Sequence, residues 1–266
     1  MKKRILSLAL AVLLLVAVLP SAVFAAEKTV TDIYTAEDFI AFTDAVNAGC
    51  DYKGKTVKLH TDALTVETPV GTQAHPFAGT FDGAGHEVEL FIGGEENVGL
   101  FGYLKGATVK NVRVSGSIVG TKNVGAVAGA MEAGMIYGCE SSCAVSTVRN
   151  AGGIVGAAIS GSGHNYVTSC VNDGCVTAGY NIMDVQREGG AAGGILGEGS
   201  GVTISLCKNY GDVTTQTSYV GGIVGHALGG FCAVLRSKNA GELFGYSYKG
   251  ALVGGAEKST RLWIAS

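Results

Sequence analysis

The side chains of this chain best suited to chemistry are its seven cysteines and a few acids placed beside glycines. The cysteines are Cys50, Cys139, Cys143, Cys170, Cys175, Cys207 and Cys232. An odd number cannot all pair within one chain, and the spacings are not those of a small disulfide framework. Metal binding is poorly served as well. Cys139 and Cys143 have no second pair and no nearby histidines to complete a tetrahedral set, so neither a metal nor a cofactor is expected. His86-Glu87 runs on into Val88, Glu89 and Leu90, which breaks the His-Glu-x-x-His zinc arrangement. Gly-x-Gly-x-x-Gly matches arise by chance among 42 glycines, and none joins a strand to a helix, so nucleotide binding is unsupported. Cleaving a polysaccharide needs clustered acids and bases. Asp173 and Asp212 beside corner glycines, with Arg187, are the nearest approach, and acids in such places mostly shape turns.

Binding is better provided for than catalysis. Tyr180, Asn181, Asp184, Gln186, Arg187 and Glu188 fall within nine residues, and His164 and Tyr166 lie in a second polar stretch that starts at Ser160. Rings, amides, acids and a guanidinium at this density suit contact with glycans or with host or matrix surfaces.

The elements that must position these groups follow from one phrase: a small residue, two apolar residues, then glycine. It occurs as Gly99-Leu100-Phe101-Gly102, Ala126-Val127-Ala128-Gly129, Gly153-Ile154-Val155-Gly156, Gly194-Ile195-Leu196-Gly197, Gly222-Ile223-Val224-Gly225 and Ala251-Leu252-Val253-Gly254. The last glycines are 27, 27, 41, 28 and 29 residues apart, a period typical of stacked supersecondary units. A second apolar place recurs at Val109, Ile136, Val167, Ile204 and Val234. Three residues beyond it stand Val112, Cys139, Cys170, Cys207 and Ser237, which marks Cys139, Cys170 and Cys207 as one interior column of free thiols. If any bridge forms, Cys143 with Cys175 is the candidate. The last three repeats share an Asn-x-Gly corner at Asn172, Asn209 and Asn239, and both residue types tolerate left-handed backbone, which predicts a bend.

Repeats this short hold two or three strands and cannot bury a core alone. Stacking them at the ~4.8 Å strand spacing pairs every strand in parallel with those above and below. The predicted fold is all-β, a right-handed parallel β-helix of six rungs about 29 Å tall. The 14 residues that make the third interval 41 rather than about 27 divide between the Ser160 to Tyr166 stretch and the stretch containing residues 180–188. Both leave the same level of the stack.

The Gly-Leu-Phe-Gly phrase and its variants resemble the GLUG-motif repeats of bacterial secreted and cell-surface proteins. Upstream, Pro76-Phe77-Ala78-Gly79-Thr80-Phe81-Asp82-Gly83-Ala84-Gly85-His86 is similar to the segment that precedes those repeats. The resemblance covers about residues 33 to 254. It implies a surface β-helix and brings no catalytic residues, because that family is not defined by one reaction. Some members adjoin an IgA-cleaving metallopeptidase domain, whose zinc motif is not found in this sequence.

The chain divides accordingly. Residues 1–25, with Lys2, Lys3 and Arg4 before an apolar run and a Val-x-Ala site, read as a signal peptide. Residues 26–92 form an N-terminal cap and lead-in, residues 93–255 the repeat β-helix, and residues 256–266 a C-terminal cap or a truncated end. Thr35 begins a helix whose Phe39, Phe42, Ala45 and Val46 share a face, with Gly49 placed to end it. Without the leader the 19 basic residues fall to 16 against 22 acids, a net charge of −6, which argues against nucleic acid as a partner. No membrane span is expected after leader cleavage, and the oligomeric state is left open. The functional expectation is a non-catalytic exported adhesion module. A carbohydrate-active β-helix enzyme and a structural stalk are the alternatives.

Overall fold

The structure is a computed structural model that describes residues 29–62, 64–161, 163–179, 190–216 and 219–265. Residues 1–25, where a signal peptide is expected, and the six candidates from Tyr180 to Glu188 lie outside the described residues.

Each turn of the chain visits four walls in order. In one turn, Lys122–Gly125 belongs to wall 1, Ala128–Glu132 to wall 2, Met135–Tyr137 to wall 3, and Glu140–Ser141 with Ala144–Thr147 to wall 4. The next turn repeats the circuit from Ala151. Strand pairing between turns is parallel throughout, so the fold is an all-β solenoid with a single helix among the described residues.

The glycine phrase stacks as the period requires. Backbone bonds run from Ile223 to Leu252, Ile195 to Ile223, Ile154 to Ile195 and Val127 to Ile154, so these residues form one vertical file. Beside it Phe101, Ala128, Val155, Leu196, Val224 and Val253 are register partners in sequence. Val109, Ile136, Val167, Ile204 and Val234 form a file on wall 3, and all five are buried.

The coil has about eight turns rather than the six counted from the phrase. Wall 3 begins at Asp32–Ile33 and continues through Thr56–Leu59 and Thr80–Asp82 before the first repeat, and Thr260–Ala265 adds its ninth strand. Val57, Phe81 and Val109 are register partners, so the lead-in already makes turns. These turns carry no phrase because bulky Phe42, Tyr52, Phe77 and Phe81 fill the interior there.

The helix Ala36–Asn47 plugs that end. Thr35 accepts from the Asp38 N–H while Asp38 reaches back to the N-cap backbone, and Gly49 adopts φ +113° after the last turn. The Phe42 ring lies 5.1 to 6.1 Å from those of Tyr52, Phe77 and Phe81. The opposite end has no such plug among the described residues: Leu262, Trp263 and Ile264 on the last strand are exposed.

The Asn-x-Gly corner is real, but its cause differs from left-handed backbone. Neither the asparagines nor Gly174, Gly211 and Gly241 adopt positive φ. Asn172 Nδ2 donates to Asn209 Oδ1 and to the Gly174 carbonyl, both at 2.8 Å, and Asn209 repeats the pattern toward Asn239 and Gly211 at 2.7 Å. Glycine is required because a Cβ on Gly211 would stand 1.9 Å from the Gly174 carbonyl oxygen of the neighbouring turn. Left-handed corners lie instead between walls 3 and 4, at Asn111, Gly138, Ser169, Leu206 and Arg236, and between walls 2 and 3, at Gly106, Ala133, Gly201 and Gly230.

All seven cysteines are free. Cys139, Cys170 and Cys207 form the expected buried file. Cys143 points inward and Cys175 outward, so the considered bridge is absent. No helix among the described residues is long and apolar enough to cross a membrane.

Candidate functional site

His164 and Tyr166 sit where the chain passes from wall 2 to wall 3. His164 Nε2 lies 2.9 Å from Thr203 Oγ1, and its ring stands 4.8 Å from that of Tyr166 and 5.7 Å from that of Phe231. Burial lowers the His164 pKa. The neighbouring Asn165 is fully buried, donating to the Ile159 carbonyl at 2.9 Å and accepting from the Gly134 N–H at 3.2 Å, which pins this insertion to the coil. The second insertion leaves after Val176–Ala178 on wall 4 and returns before Ala191–Gly193 on wall 1. The described residues that flank the two insertions therefore lie at different corners. Asp212 ties adjacent rungs together: its Oδ1 accepts from the Glu242 N–H at 2.9 Å.

A site that the sequence reading did not single out lies on the outside of walls 1 and 2. There a pit of about 420 Å³ is lined by residues of several consecutive turns. Wall 1 contributes the ladder Asn97, Asn123 and Asn150. Asn123 donates to Asn97 Oδ1 at 3.0 Å, and Asn150 donates to Asn123 Oδ1 at 3.1 Å. Wall 2 contributes the outward column Tyr103, Ala130, Ala157, Glu198 and His226, each the register partner of the next. Tyr103, Ala130 and Ala157 form one small buried cluster with Ile159 packed against it, and of these Tyr103, Ala157 and Ile159 line the pit.

Glu198 is the polar centre. Its Oε1 accepts from Asn150 Nδ2 at 3.1 Å and its Oε2 stands 3.5 Å from His226 Nδ1. Tyr219 lies flat on His226, centroids 4.0 Å apart and planes within 1°, and Tyr248 stacks on Tyr219 at 4.9 Å. At the other end Tyr103 Oη donates to Glu132 Oε2 at 3.5 Å, and burial first, then Glu132, raises the tyrosine pKa. The other carboxylates nearby are tied up: Glu132 with Lys105 at 3.2 Å and Glu96 with Lys122 at 3.3 Å. The Glu198 carboxylate, a row of amides, the basic side chains of Lys122 and Arg149, an apolar floor and a tyrosine ring line the pit, a set that can hold a ligand with hydroxyl edges and an apolar face. Among the described residues no group of three or more His, Cys, Asp or Glu could hold a metal ion.

The signal for this site lay in the sequence as Asn97-Val98-Gly99, Asn123-Val124-Gly125 and Asn150-Ala151-Gly152, three asparagines at one place before the corner. Glu198 and Ala157 had no such marker.

No family model and no curated protein matches the sequence. Among solved structures, the chain is similar to a "putative immunoglobulin A1 protease" from Bacteroides ovatus, with a TM-score of 0.64 and 22% identity over 85% of this chain and 75% of that one. That likeness extends to the fold.

Proposed function

We propose that the protein is an exported β-solenoid that binds carbohydrate, acting as a surface or secreted adhesion module with the pit between walls 1 and 2 as its contact. The observation that carries this reading is the pairing of Glu198 with Asn150 beside the apolar surface of Ala157 and Ile159. Sugars present hydroxyls that both donate and accept, together with a patch of C–H groups, and the polar and apolar parts of the pit match those two faces. The basic start, apolar run and Val-x-Ala site of residues 1–25 support export. N-terminal sequencing of protein recovered from culture medium should begin at Ala26.

The test is a glycan array probed with the intact protein, followed by Glu198→Gln and Asn150→Ala. Binding to at least one glycan, weakened tenfold or more by each substitution, is expected. Unchanged binding by both variants overturns the assignment of the pit. A carbohydrate-active enzyme is the second reading, favoured by the 3.5 Å approach of His226 to Glu198. Release of reducing sugar from an array ligand would select it.

A further inference from the structure

We infer that the pit reads the end of a glycan, one or two sugars deep, and not the middle of a chain. This rests on the carbohydrate reading above and adds the class of ligand.

The argument is one of length along the coil axis. Tyr103, Ala130, Ala157 and Glu198 stand on four successive turns, so Tyr103 and Glu198 are three steps of ~4.8 Å apart, about 14 Å between backbones. Tyr103 uses part of that span by packing with Ala130. At the other limit Glu198 is backed by the flat stack of His226, Tyr219 and Tyr248. What is left open is one to two steps, roughly 5 to 10 Å. A volume of about 420 Å³ also suits a mono- or disaccharide. A polysaccharide running along the axis would have to cross Tyr103 on one side and the aromatic stack on the other.

The polar wall specifies the ligand further. Asn150 is 6% exposed and already donates to Glu198, so it holds the carboxylate still. An ionised carboxylate accepts only, with about four lone-pair positions, and the contacts with Asn150 and His226 leave some open. Adjacent hydroxyls on one sugar ring can donate to both carboxylate oxygens while their C–H face rests on Ala157 and Ile159. The ligand is therefore a terminal sugar with two neighbouring free hydroxyls.

The experiment is calorimetric titration of the intact chain with methyl β-glycosides of glucose, galactose, mannose and N-acetylglucosamine, and with their di-, tri- and tetrasaccharides. Affinity should rise from mono- to disaccharide and change less than twofold beyond that. Ala157→Leu, an outward position, should abolish binding at unchanged circular dichroism, and Glu198→Gln should weaken it at least tenfold whatever happens to the first variant. A steady gain through the tetrasaccharide, tenfold or more in all, overturns terminal recognition while leaving carbohydrate binding in place. No binding by any member, with the array also blank, overturns both.

Discussion

Asn172, Asn209 and Asn239 show how one side chain settles the identity of another across the coil. A Cβ on Gly153, Gly194 or Gly222 would stand 2.2 to 2.5 Å from the asparagine of its own turn, so the phrase opens with glycine wherever the ladder is present. The turn that carries Ser141 in the same column opens with Ala126 instead. Removing the middle member, Asn209→Ala, takes away its bonds to Gly211 and Asn239 and the acceptor for Asn172. It should cost about 3 kcal/mol in urea denaturation, since buried partners are left unmatched. The thiols divide by burial in a comparable way. Burial pushes Cys143 and Cys232 up to about 12. Cys170 and Cys207 are raised by the thiol bond to the neighbour in their file, with burial adding to it. Since the thiolate is the reactive form, only exposed Cys175 and half-buried Cys50 should react with a thiol reagent in the native protein, and all seven after unfolding.

Within the turns, each wall strand presents one file inward, and Val224 lies in such a file at no exposure. Val224→Asp would bury a carboxylate among Leu196, Val253 and their neighbours. A cost of several kcal/mol against a typical total of ~5 to 15 should abolish cooperative melting by circular dichroism. The Asp82 turn gives a milder, pH-dependent test. Burial alone would raise the Asp82 carboxyl, but bonds from the Ala84 N–H, Lys110 and Asn111 outweigh it and hold the pKa below the usual value. A carboxyl depressed in the folded state stabilises above its unfolded pKa, and that contribution disappears as pH falls through the folded one. Stability should therefore decline from about pH 4 downward, and Asp82→Asn should flatten that decline in melting temperature. These same strands explain what could be read in advance. Small and apolar residues in repeating places fix vertical files, so the solenoid, the thiol column and the capping helix were legible. The lead-in, read as a cap and entry to the coil, was not counted among its turns because aromatic packing there needs no glycine phrase. The pit escaped because Asn97, Asn150 and Glu198 meet only after about a hundred residues of chain have wound past one another, and a lone Glu among varied outward residues has no periodic signature. The polar insertion at residues 180–188 drew attention for the opposite reason, being conspicuous in composition.

The molecule as a whole is asymmetric along its axis. The helix Ala36–Asn47 closes one end over Phe42, whereas at the other Leu262 and Ile264 face outward with nothing stacked on them among the described residues. Bonds between turns all lie along that axis, so a pull applied to the two termini loads them a turn at a time instead of all together. Under tension from the side of Thr260–Ala265 the coil should give way in successive releases of about 28 residues, each lengthening the chain by roughly 95 Å at ~3.4 Å per residue. The rungs bearing Val253 and Val224 would go before the one bearing Glu198. The first of these losses takes Tyr248 from the stack and the second takes Tyr219 and His226, so a ligand held by Glu198 would lose the backing of its site before its own rung opens.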